Sequence, residues 1–360
     1  MAVVFNDSSA SYQTLVGSVI PAITTVILNP DIDISDNANP TRIGGYDTTG
    51  DARGVQVVEN YAYVADYDGG LQIIDISDNA NPTRIGGYDT TGDARGVQVV
   101  ENYAYIADRY AGLQIIDISN RGNPTRIGGY DTYGRALDVQ VVENYAYVAD
   151  YDGGLQIIDI SNPGNPTRTG SYDTSNNRAM GVQVMGNYAY VADSWLGLQI
   201  IDIRNPASPT LTSRYPGDAR DVHVVGNYAY VAFEYRGLEI IDIRNPANPT
   251  LIGGYDPPGN DRAVQVVGNY AYVAAYHGGL QIIDIRNPAN PTRTNAYDTS
   301  GLATDVQIVG NYAYVADGFS GLQIIDVSHF TQSPTNEPSI AIIATTNAVQ
   351  TEGNSGTTPF

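Results

Sequence analysis

The sequence predicts an all-β fold: a seven-bladed β-propeller of four-stranded antiparallel blades, closed by an outer strand from the N-terminal side. Three observations predict it: a phrase that recurs seven times, four strand patterns in each copy, and an offset between the first and last copies. The phrase NYAYVADYDGGLQIIDI begins at Asn60, and its first Tyr recurs at steps of 42, 42, 43, 40, 42 and 42 residues. A period of about 42 residues is typical of one propeller blade.

Each copy divides into four short strands separated by turn residues. In the copy at residues 54–88, the segments GVQVV (54–58), YAYVAD (61–66) and LQIIDI (71–76) are apolar, whereas PTRIGGY (82–88) is more polar and begins with Pro. Strands that are apolar on both faces need cover on both sides, which a ring of blades supplies. We name the strands A to D from the centre outward. Strand D belongs at the outer edge, because a missing Pro N–H costs least there.

The motif of strand D also predicts how the ring closes. Its first copy, at residues 39–48, precedes the first strand A, whereas the last strand C, which ends at Val327, has no strand D after it. We therefore expect residues 39–48 to complete the seventh blade through main-chain hydrogen bonds.

Composition excludes several kinds of chemistry. The chain has 360 residues and no Cys, so it forms no disulfide, thiol nucleophile or Cys-based metal site. All 18 basic residues are Arg, which excludes a Lys Schiff base. With 39 acidic residues the net charge is −21, which argues against a duplex nucleic acid as partner. No run of about 18 apolar residues predicts membrane insertion, and no signal peptide is recognisable at the start of the chain.

The recurring segment LQIIDIS resembles the core of the LVIVD-repeat family of β-propellers. Leu71, Ile73, Ile74 and Asp75 stand at the matching positions, and the resemblance recurs in all seven copies. It defines a propeller domain at residues 31–327, preceded by an N-terminal extension at residues 1–30. The resemblance implies the fold, and the known members of the family mostly lack an assigned activity.

The sequence after Val327 no longer follows the repeat. We interpret residues 328–337 as a linker, and residues 338–360, with the segment EGNSG, resemble the opening of a Calx-β domain. Such a domain is several times longer, so we expect a truncated one. Glu352 stands where that family places an early Ca²⁺ ligand, but the partner ligands are missing and no bound Ca²⁺ is expected there. The resemblance implies a bacterial surface or secreted multidomain protein, and hence an extracellular location.

Differences between the copies indicate where function lies. Asp75 and its six equivalents end every strand C, and we expect them to accept hydrogen bonds from loop N–H groups. The B–C turns and D–A loops vary, and strand alternation places both on one side of the ring, which we call the top face. The A–B turns and C–D loops share the opposite side, the bottom face, and vary little.

Aromatic residues concentrate in the variable loops. Of 28 Tyr, fourteen form pairs in strand B, seven close strand D and one is Tyr12. The other six lie in top loops with the single Trp and two Phe, and they are Tyr67, Tyr110, Tyr133, Tyr151, Tyr235, Tyr276, Trp195, Phe233 and Phe319. Such a gathering suggests a recognition surface. The alternative is that these rings merely cover the tops of the blades.

Charged residues at the start of strand A add a polar centre to this face. We expect Asp138, Asp221 and Asp305 to face one another across the channel mouth, beside four Arg. They could form a carboxylate pair of an enzyme, a metal cage or a solvated rim. The complete set of ligand-binding candidates is Arg53, Tyr67, Arg95, Tyr110, Asp138, Tyr151, Trp195, Arg220, Asp221, Tyr235, Arg262, His277, Asp305 and Phe319.

The sequence therefore favours a non-enzymatic binding or adhesion module, a monomeric ring with a glycan or protein ligand on its top face. The alternative is a propeller hydrolase or lyase with an Asp/Arg site at the channel mouth. The three His, at positions 223, 277 and 329, lack metal-ligand spacing. The DYDGG turns at Asp66 and Asp150 have two carboxylates two residues apart, as Ca²⁺ loops do, but lack the remaining ligands. We expect no cofactor, with Ca²⁺ as the one alternative.

Overall fold

The computed structural model describes residues 39–174 and 178–331. Within these ranges, 28 strands form seven separate four-stranded antiparallel sheets, the blades of a β-propeller. The fold predicted from the repeats is thereby confirmed. The N-terminal extension and the Calx-β-like segment lie outside the described residues, and the predicted linker begins with the short helix α1 (Ser328–Thr331).

The strands follow one another from the channel outward in each blade. Strand β1 (Thr41–Tyr46) precedes the first blade. Blades 1 to 3 contain β2 (Gly54–Val58), β3 (Tyr61–Ala65), β4 (Leu71–Asp75) and β5 (Thr83–Tyr88); β6 (Gly96–Val100), β7 (Tyr103–Ala107), β8 (Leu113–Asp117) and β9 (Thr125–Tyr130); β10 (Ala136–Val142), β11 (Tyr145–Asp150), β12 (Gly154–Asp159) and β13 (Thr167–Tyr172). Blades 4 to 6 contain β14 (Ala179–Met185), β15 (Tyr188–Asp193), β16 (Gly197–Asp202) and β17 (Thr210–Tyr215); β18 (Ala219–Val225), β19 (Tyr228–Phe233), β20 (Gly237–Asp242) and β21 (Thr250–Tyr255); β22 (Ala263–Val267), β23 (Tyr270–Ala274), β24 (Leu280–Asp284) and β25 (Thr292–Tyr297). Blade 7 contains β26 (Asp305–Val309), β27 (Tyr312–Ala316) and β28 (Leu322–Asp326).

The seventh blade is completed by β1, the first of the described strands. Its order is β26, β27, β28 and β1, and β1 pairs antiparallel with β28 from Thr41 opposite Asp326 to Tyr46 opposite Leu322. The predicted closure is confirmed. Pairing the two ends of the ring removes the edge that β28 would otherwise expose.

The hydrophobic core lies between the blades. In strand C of blade 1, Leu71 and Ile73 pack with blade 2, whereas Ile74 packs with blade 7. All three side chains are fully buried, because alternate residues of a strand point to opposite faces. This explains why strand C is apolar without alternation. Burial of each such side chain contributes about 1.5–3 kcal/mol, so blade-to-blade contact supplies most of the stabilisation.

Side chains of strand A connect each blade to the next around the channel. Strand A is the inner edge of its sheet, so the N–H groups on the side of strand A away from strand B have no strand beside them. In six blades a Gln side-chain oxygen accepts one of these N–H groups, and in blade 5 His223 Nδ1 accepts it from Val266 N at 2.9 Å. The Gln acceptors and their donors are Gln56 and Val99, Gln98 and Val141, Gln140 and Val184, Gln183 and Val224, Gln265 and Ile308, and Gln307 and Val57. The last pair joins blade 7 to blade 1, so the belt of hydrogen bonds is continuous.

The bottom face is fixed by a repeated carboxylate. Asp75 Oδ1 accepts a hydrogen bond from Ser77 N at 2.9 Å, and the six equivalent Asp residues accept the same bond from the residue two positions later. The Ser77 side chain, and after it the Ser77 N–H, lowers the pKa of Asp75 by hydrogen bonding to its carboxylate. The structural role predicted for this Asp is confirmed.

The A–B turns of the bottom face come in two versions. The first turn residue has a positive φ in every blade: it is Glu in blades 1 to 3, as at Glu143 with φ 53°, and Gly in blades 4 to 7, as at Gly226 with φ 57°. A Cβ added at Gly226 would meet nothing within 4 Å. The Gly is therefore favoured by the backbone conformation, not by lack of space.

We predict that removing residues 1–48 lowers the melting temperature sharply, because β28 then exposes an unpaired edge. Adding a synthetic peptide of residues 39–48 should restore part of the loss, since it can pair with β28 as an added strand. Differential scanning calorimetry measures both, with a scrambled peptide as the control. No loss on deletion would contradict the assigned closure.

We predict that Glu143→Gly raises the free energy of unfolding by on the order of 0.5–1 kcal/mol, because Gly adopts positive φ without steric cost. The reverse change, Gly226→Glu, should lower it by a similar amount. Urea denaturation measures both variants. Equal effects of the same sign would show that the turn conformation does not decide the stability.

Candidate functional site

Buried carboxylates join the two sets of loops on the top face. Asp66, at the end of strand B in blade 1, accepts hydrogen bonds from Thr48 Oγ1 at 2.5 Å and from Gly50 N at 2.8 Å in the D–A loop. Asp108 makes the same contacts in blade 2. Burial raises the pKa of Asp66 to about 6. Both Asp66 oxygens are occupied within the loop, which leaves the DYDGG turn at residues 66–70 poorly suited to bind Ca²⁺.

Four of the B–C turns begin with a residue of left-handed backbone. Tyr67, Arg109 and Tyr276 have φ values of 42°, 40° and 51°, and Gly318 has 59°. Each of them forms an isolated β-bridge to the Ala that precedes strand A of the next blade. For residues other than Gly this conformation costs on the order of 1–3 kcal/mol and tends to occur at functional sites. It holds the rings of Tyr67 and Tyr276 beside the channel mouth.

Exposed aromatic rings stand at the tips of the top loops. Among the described residues, every exposed Tyr, Trp or Phe side chain lies there: Tyr133 (84%), Phe319 (75%), Tyr235 (70%), Tyr110 (62%) and Trp195 (59%). His277 is also exposed, whereas Tyr67, Tyr151 and Tyr276 are half-buried. The expectation of surface-exposed rings on this face is thus met by five of the nine.

Phe233 corrects the sequence analysis. It is fully buried, packed edge-to-face against Tyr215 and beneath the guanidinium of Arg236. Phe233 aligns with Asp66, the position whose side chain points into the loop and not outward. It is therefore part of the blade core and not of a recognition surface.

Arginine side chains stack on several of the rings. Arg109 lies 4.6 Å from the centre of the Tyr110 ring, Arg178 lies 4.9 Å from the Trp195 ring, and Arg135 lies 4.1 Å from the Tyr151 ring. Cation–π contacts of this kind contribute about 0.5–1 kcal/mol at exposed sites. They hold the rings in fixed orientations, so the face presents a preformed set of platforms.

Arginines from four blades surround the channel mouth. Arg53 forms an ion pair with Asp51, and Glu234 pairs with both Arg220 and, at 3.3 Å, Arg262. Arg95 lies 4.9 Å from the centre of the Tyr67 ring and forms no ion pair with a carboxylate of the described residues. Burial, followed by the charge of Arg53, lowers the pKa of Arg95. Sequence reasoning found these arginines but missed Glu234, which occupies the turn position held by Tyr in blades 1, 3 and 6.

The three acidic candidates line the channel wall. Asp138, Asp221 and Asp305 each accept a backbone N–H of the next blade at 2.8–2.9 Å, from Val182, Val264 and Val55. They therefore extend the Gln belt by a second, discontinuous layer. Burial raises the pKa of all three carboxyls, and mutual repulsion adds to the shift of Asp221, to about 7, and Asp305, to about 6.

The channel itself forms a cavity of about 250 Å³. Its wall includes Asp138, Asp221, His223 and the Gln residues of the belt. Burial lowers the pKa of His223 to about 4, so its imidazole is neutral at physiological pH and its Nδ1 can accept the Val266 N–H. His223 thus lines the channel at the position that Gln holds in the other blades.

One buried acid was not anticipated. Asp261 replaces the fully buried Ala that precedes strand A in the other blades, it is 1% exposed, and its two oxygens have no hydrogen-bond partner within the described residues. Burial raises its pKa to about 8. In the same blade Ala275 stands where Asp66 stands in blade 1. Blade 6 therefore lacks the acid at the end of strand B and has Asp261 in the adjacent D–A loop instead, and aligning the repeats shows both changes.

The comparisons with known proteins bear on the fold. The LVIVD repeat model matches residues 32–48, 49–90, 91–132, 133–174, 177–215, 216–257, 258–299 and 300–335, and the chain belongs to the LVIVD repeat family. Eight matched segments fit seven blades because the first and the last together form blade 7. No curated protein sequence matches the chain.

Solved structures with the same fold are distant in sequence. The WD40 β-propeller domain of Doa1 is 11% identical, with a TM-score of 0.65 over 80% of this chain and 97% of that one. The Cps50 (Swd1) β-propeller domain of Myceliophteria thermophila is 12% identical, with a TM-score of 0.65 over 80% and 99%. The computationally designed Ika8 protein is 10% identical, with a TM-score of 0.55 over 79% and 99%. At these identities the likeness shows the fold alone.

No group of three or more His, Asp or Glu side chains in residues 39–174 and 178–331 is arranged to hold a metal ion. None of the helices found there is long and apolar enough to cross a membrane.

We predict that stability falls as the pH rises from 5 to 8. Asp221 and Asp305 have raised pKa values in the folded chain, about 7 and 6, against about 3.9 in an unfolded one. Their stabilising contribution is complete below about pH 3.9 and is lost as the pH passes through the folded pKa. Melting temperature against pH measures the effect.

Asp221→Asn should flatten this profile, because the variant takes up about one proton fewer on folding between these pH values. Its amide oxygen can still accept the Val264 N–H. Asp75→Asn is the matched control, since the pKa of Asp75 is lowered and the carboxyl does not titrate in this range. An unchanged slope in Asp221→Asn would show that this carboxyl is ionised throughout.

Proposed function

We propose that the propeller is a non-enzymatic binding module whose glycan or protein ligand lies on the top face. The observation that carries this proposal is the confinement of all exposed Tyr, Trp and Phe rings of the described residues to that face. Exposed aromatic side chains provide large contact areas at low cost in conformational entropy.

The loops that carry the rings support the same conclusion. Tyr110 and Trp195 are braced by cation–π contacts, and strained backbone at Tyr67 and Tyr276 is retained although Gly would relieve it. A preorganised surface loses less entropy when it binds. The structural alternative, that the rings cover the blade tops, fits Tyr151 and Phe233 but leaves the five exposed rings unexplained.

An enzymatic function has less support. A hydrolase or lyase would require Asp138, Asp221 or Asp305 to act as a general acid or base. One oxygen of each carboxylate is already engaged by a backbone N–H of the neighbouring blade. A role in joining the blades accounts for these bonds. We therefore propose no catalytic role for them and no cofactor.

The cellular setting rests on the sequence resemblance. We propose that the module acts as a monomeric ring within a bacterial surface or secreted multidomain protein. The Calx-β-like segment that supports this setting lies outside the described residues. Detection of the native protein in the extracellular or surface fraction of its source cells tests the location.

We predict that Trp195→Ala and Tyr235→Ala each weaken binding by about 1–3 kcal/mol, the scale of an anchor residue in an interface. A screen against arrays of glycans and extracellular proteins identifies the ligand, and calorimetry then measures the variants. Asn81→Ala on the bottom face is the control, because its side chain bonds only within its own loop, to Asp78 at 2.9 Å. If Asn81→Ala lost binding while Trp195→Ala kept it, the ligand would lie on the bottom face and the proposed location would be wrong.

A further inference from the structure

The channel mouth has a basic side and an apolar side. The residue that precedes the channel-facing start of strand A differs from blade to blade, in order from blade 1: Arg53, Arg95, Leu137, Met180, Arg220, Arg262 and Thr304. The four Arg therefore form one arc over blades 5, 6, 7, 1 and 2, in which Thr304 is the small central member. Leu137 and Met180, both half-buried, occupy the other side.

The basic arc carries more positive than negative charge. Its four guanidinium groups have two carboxylate partners, Asp51 and Glu234. Burial and the charges of Arg220 and Arg53 lower the pKa of Arg262, just as burial and Arg53 lower that of Arg95. The arginines are thus close enough to repel one another. Uncompensated buried charge is costly, so the arc is suited to accept a further anion.

The arginine without an ion pair points to the same chemistry. The Nε atoms of Arg53, Arg95, Arg220 and Arg262 are all buried and have no hydrogen-bond partner within the described residues. Arg95 is the arginine without an ion pair, and it is positioned by the Tyr67 ring, which also lies 5.7 Å from Arg53. Guanidinium groups bind carboxylates through two parallel hydrogen bonds, so an incoming carboxylate would supply Arg95 with the ion pair that it lacks, while the buried Nε atoms stay out of its reach.

We propose that the mouth binds an acidic peptide segment: the basic arc takes a Glu or Asp carboxylate of the partner, and Leu137 and Met180 take an adjacent apolar side chain. The proposal rests on the proposed function and names its ligand class. A peptide fits better than a glycan because an apolar sector beside the arginines suits alternating acidic and apolar side chains. The carboxylates of Asp221 and Asp305 follow Arg220 and Thr304 of the arc, and that of Asp138 follows Leu137 on the apolar side; backbone N–H groups of neighbouring blades hold all three.

The test uses the full chain and three probes: a short blocked peptide of alternating Leu and Glu, the same peptide with Gln for Glu, and trigalacturonate as an acidic glycan. We expect the Glu peptide to bind at least about tenfold more tightly than the Gln peptide, a difference of about 1.4 kcal/mol. Arg95→Gln should weaken the Glu peptide by a similar factor and leave the Gln peptide unaffected. Calorimetry measures affinity at low salt, since the effect is electrostatic.

Arg204→Gln is the matched control. It removes the same charge from the bottom face, where the exposed Arg204 pairs with Asp202, and should leave the affinity unchanged. A second measurement separates binding from folding: without ligand, Arg95→Gln should melt at the same or a higher temperature, because removing one cation relieves repulsion from Arg53 and Arg109. If Arg95→Gln melts much lower, Arg53→Gln takes its place in the binding series.

Each remaining outcome has a definite meaning. Trigalacturonate binding that depends on Arg95, with no binding of the Glu peptide, would replace the peptide by an acidic glycan. Failure of both acidic probes, or equal binding of the Glu and Gln peptides, would overturn the anion site. The proposed function would survive that failure if a ligand from the array screen is lost in Trp195→Ala but retained in Arg95→Gln.

Discussion

The structure depends on one recurring constraint: the inner strand of every blade has N–H groups with no strand beside them, and a side chain of the preceding blade must accept them. A Gln oxygen does so in six blades and His223 Nδ1 in the seventh. Unpaired buried N–H groups are costly, so the belt fixes the distance and tilt between blades. The replacement of Gln by His in blade 5 is compatible with this role because burial keeps His223 neutral.

The belt, the inter-blade core and the bottom-face carboxylates hold the ring together. The top loops therefore contribute less to its stability. Their ties differ between blades: the Asp at the end of strand B bonds the D–A loop in blades 1, 2 and 7, whereas Phe233 and Ala275 stand at that position in blades 5 and 6. Trp195, Tyr235 and the arginines of the mouth can differ from blade to blade because they are not needed to hold the ring together. Binding residues are commonly placed in this way, on loops held by a rigid scaffold.

The fold could be predicted almost completely from the sequence, because seven copies supply an internal alignment and the offset of residues 39–48 dictates the closure. The site could be predicted only by face. Phe233 was assigned to the surface because loop membership does not reveal side-chain direction, although its alignment with the constant Asp66 pointed inward. The sequence also grouped Asp221 with Arg220 in one rim. In the structure Asp221 accepts the N–H of Val264 in the next blade whereas Arg220 pairs with Glu234, a division that the repeat pattern does not show.

The pairing of β1 with β28 has a consequence for how the molecule is made. Thr41 faces Asp326, so β1 leaves the ribosome before the other described strands but finds its partner only after all the intervening blades have been synthesised. Contacts of such long sequence separation slow folding, since the entropy of closing the chain is lost before the contacts form. Until then β1 and the edge of β28 are both open, and at high concentration β1 of one chain can complete the seventh blade of another. The closure that protects the mature ring is thus the step most exposed to exchange between chains during biosynthesis.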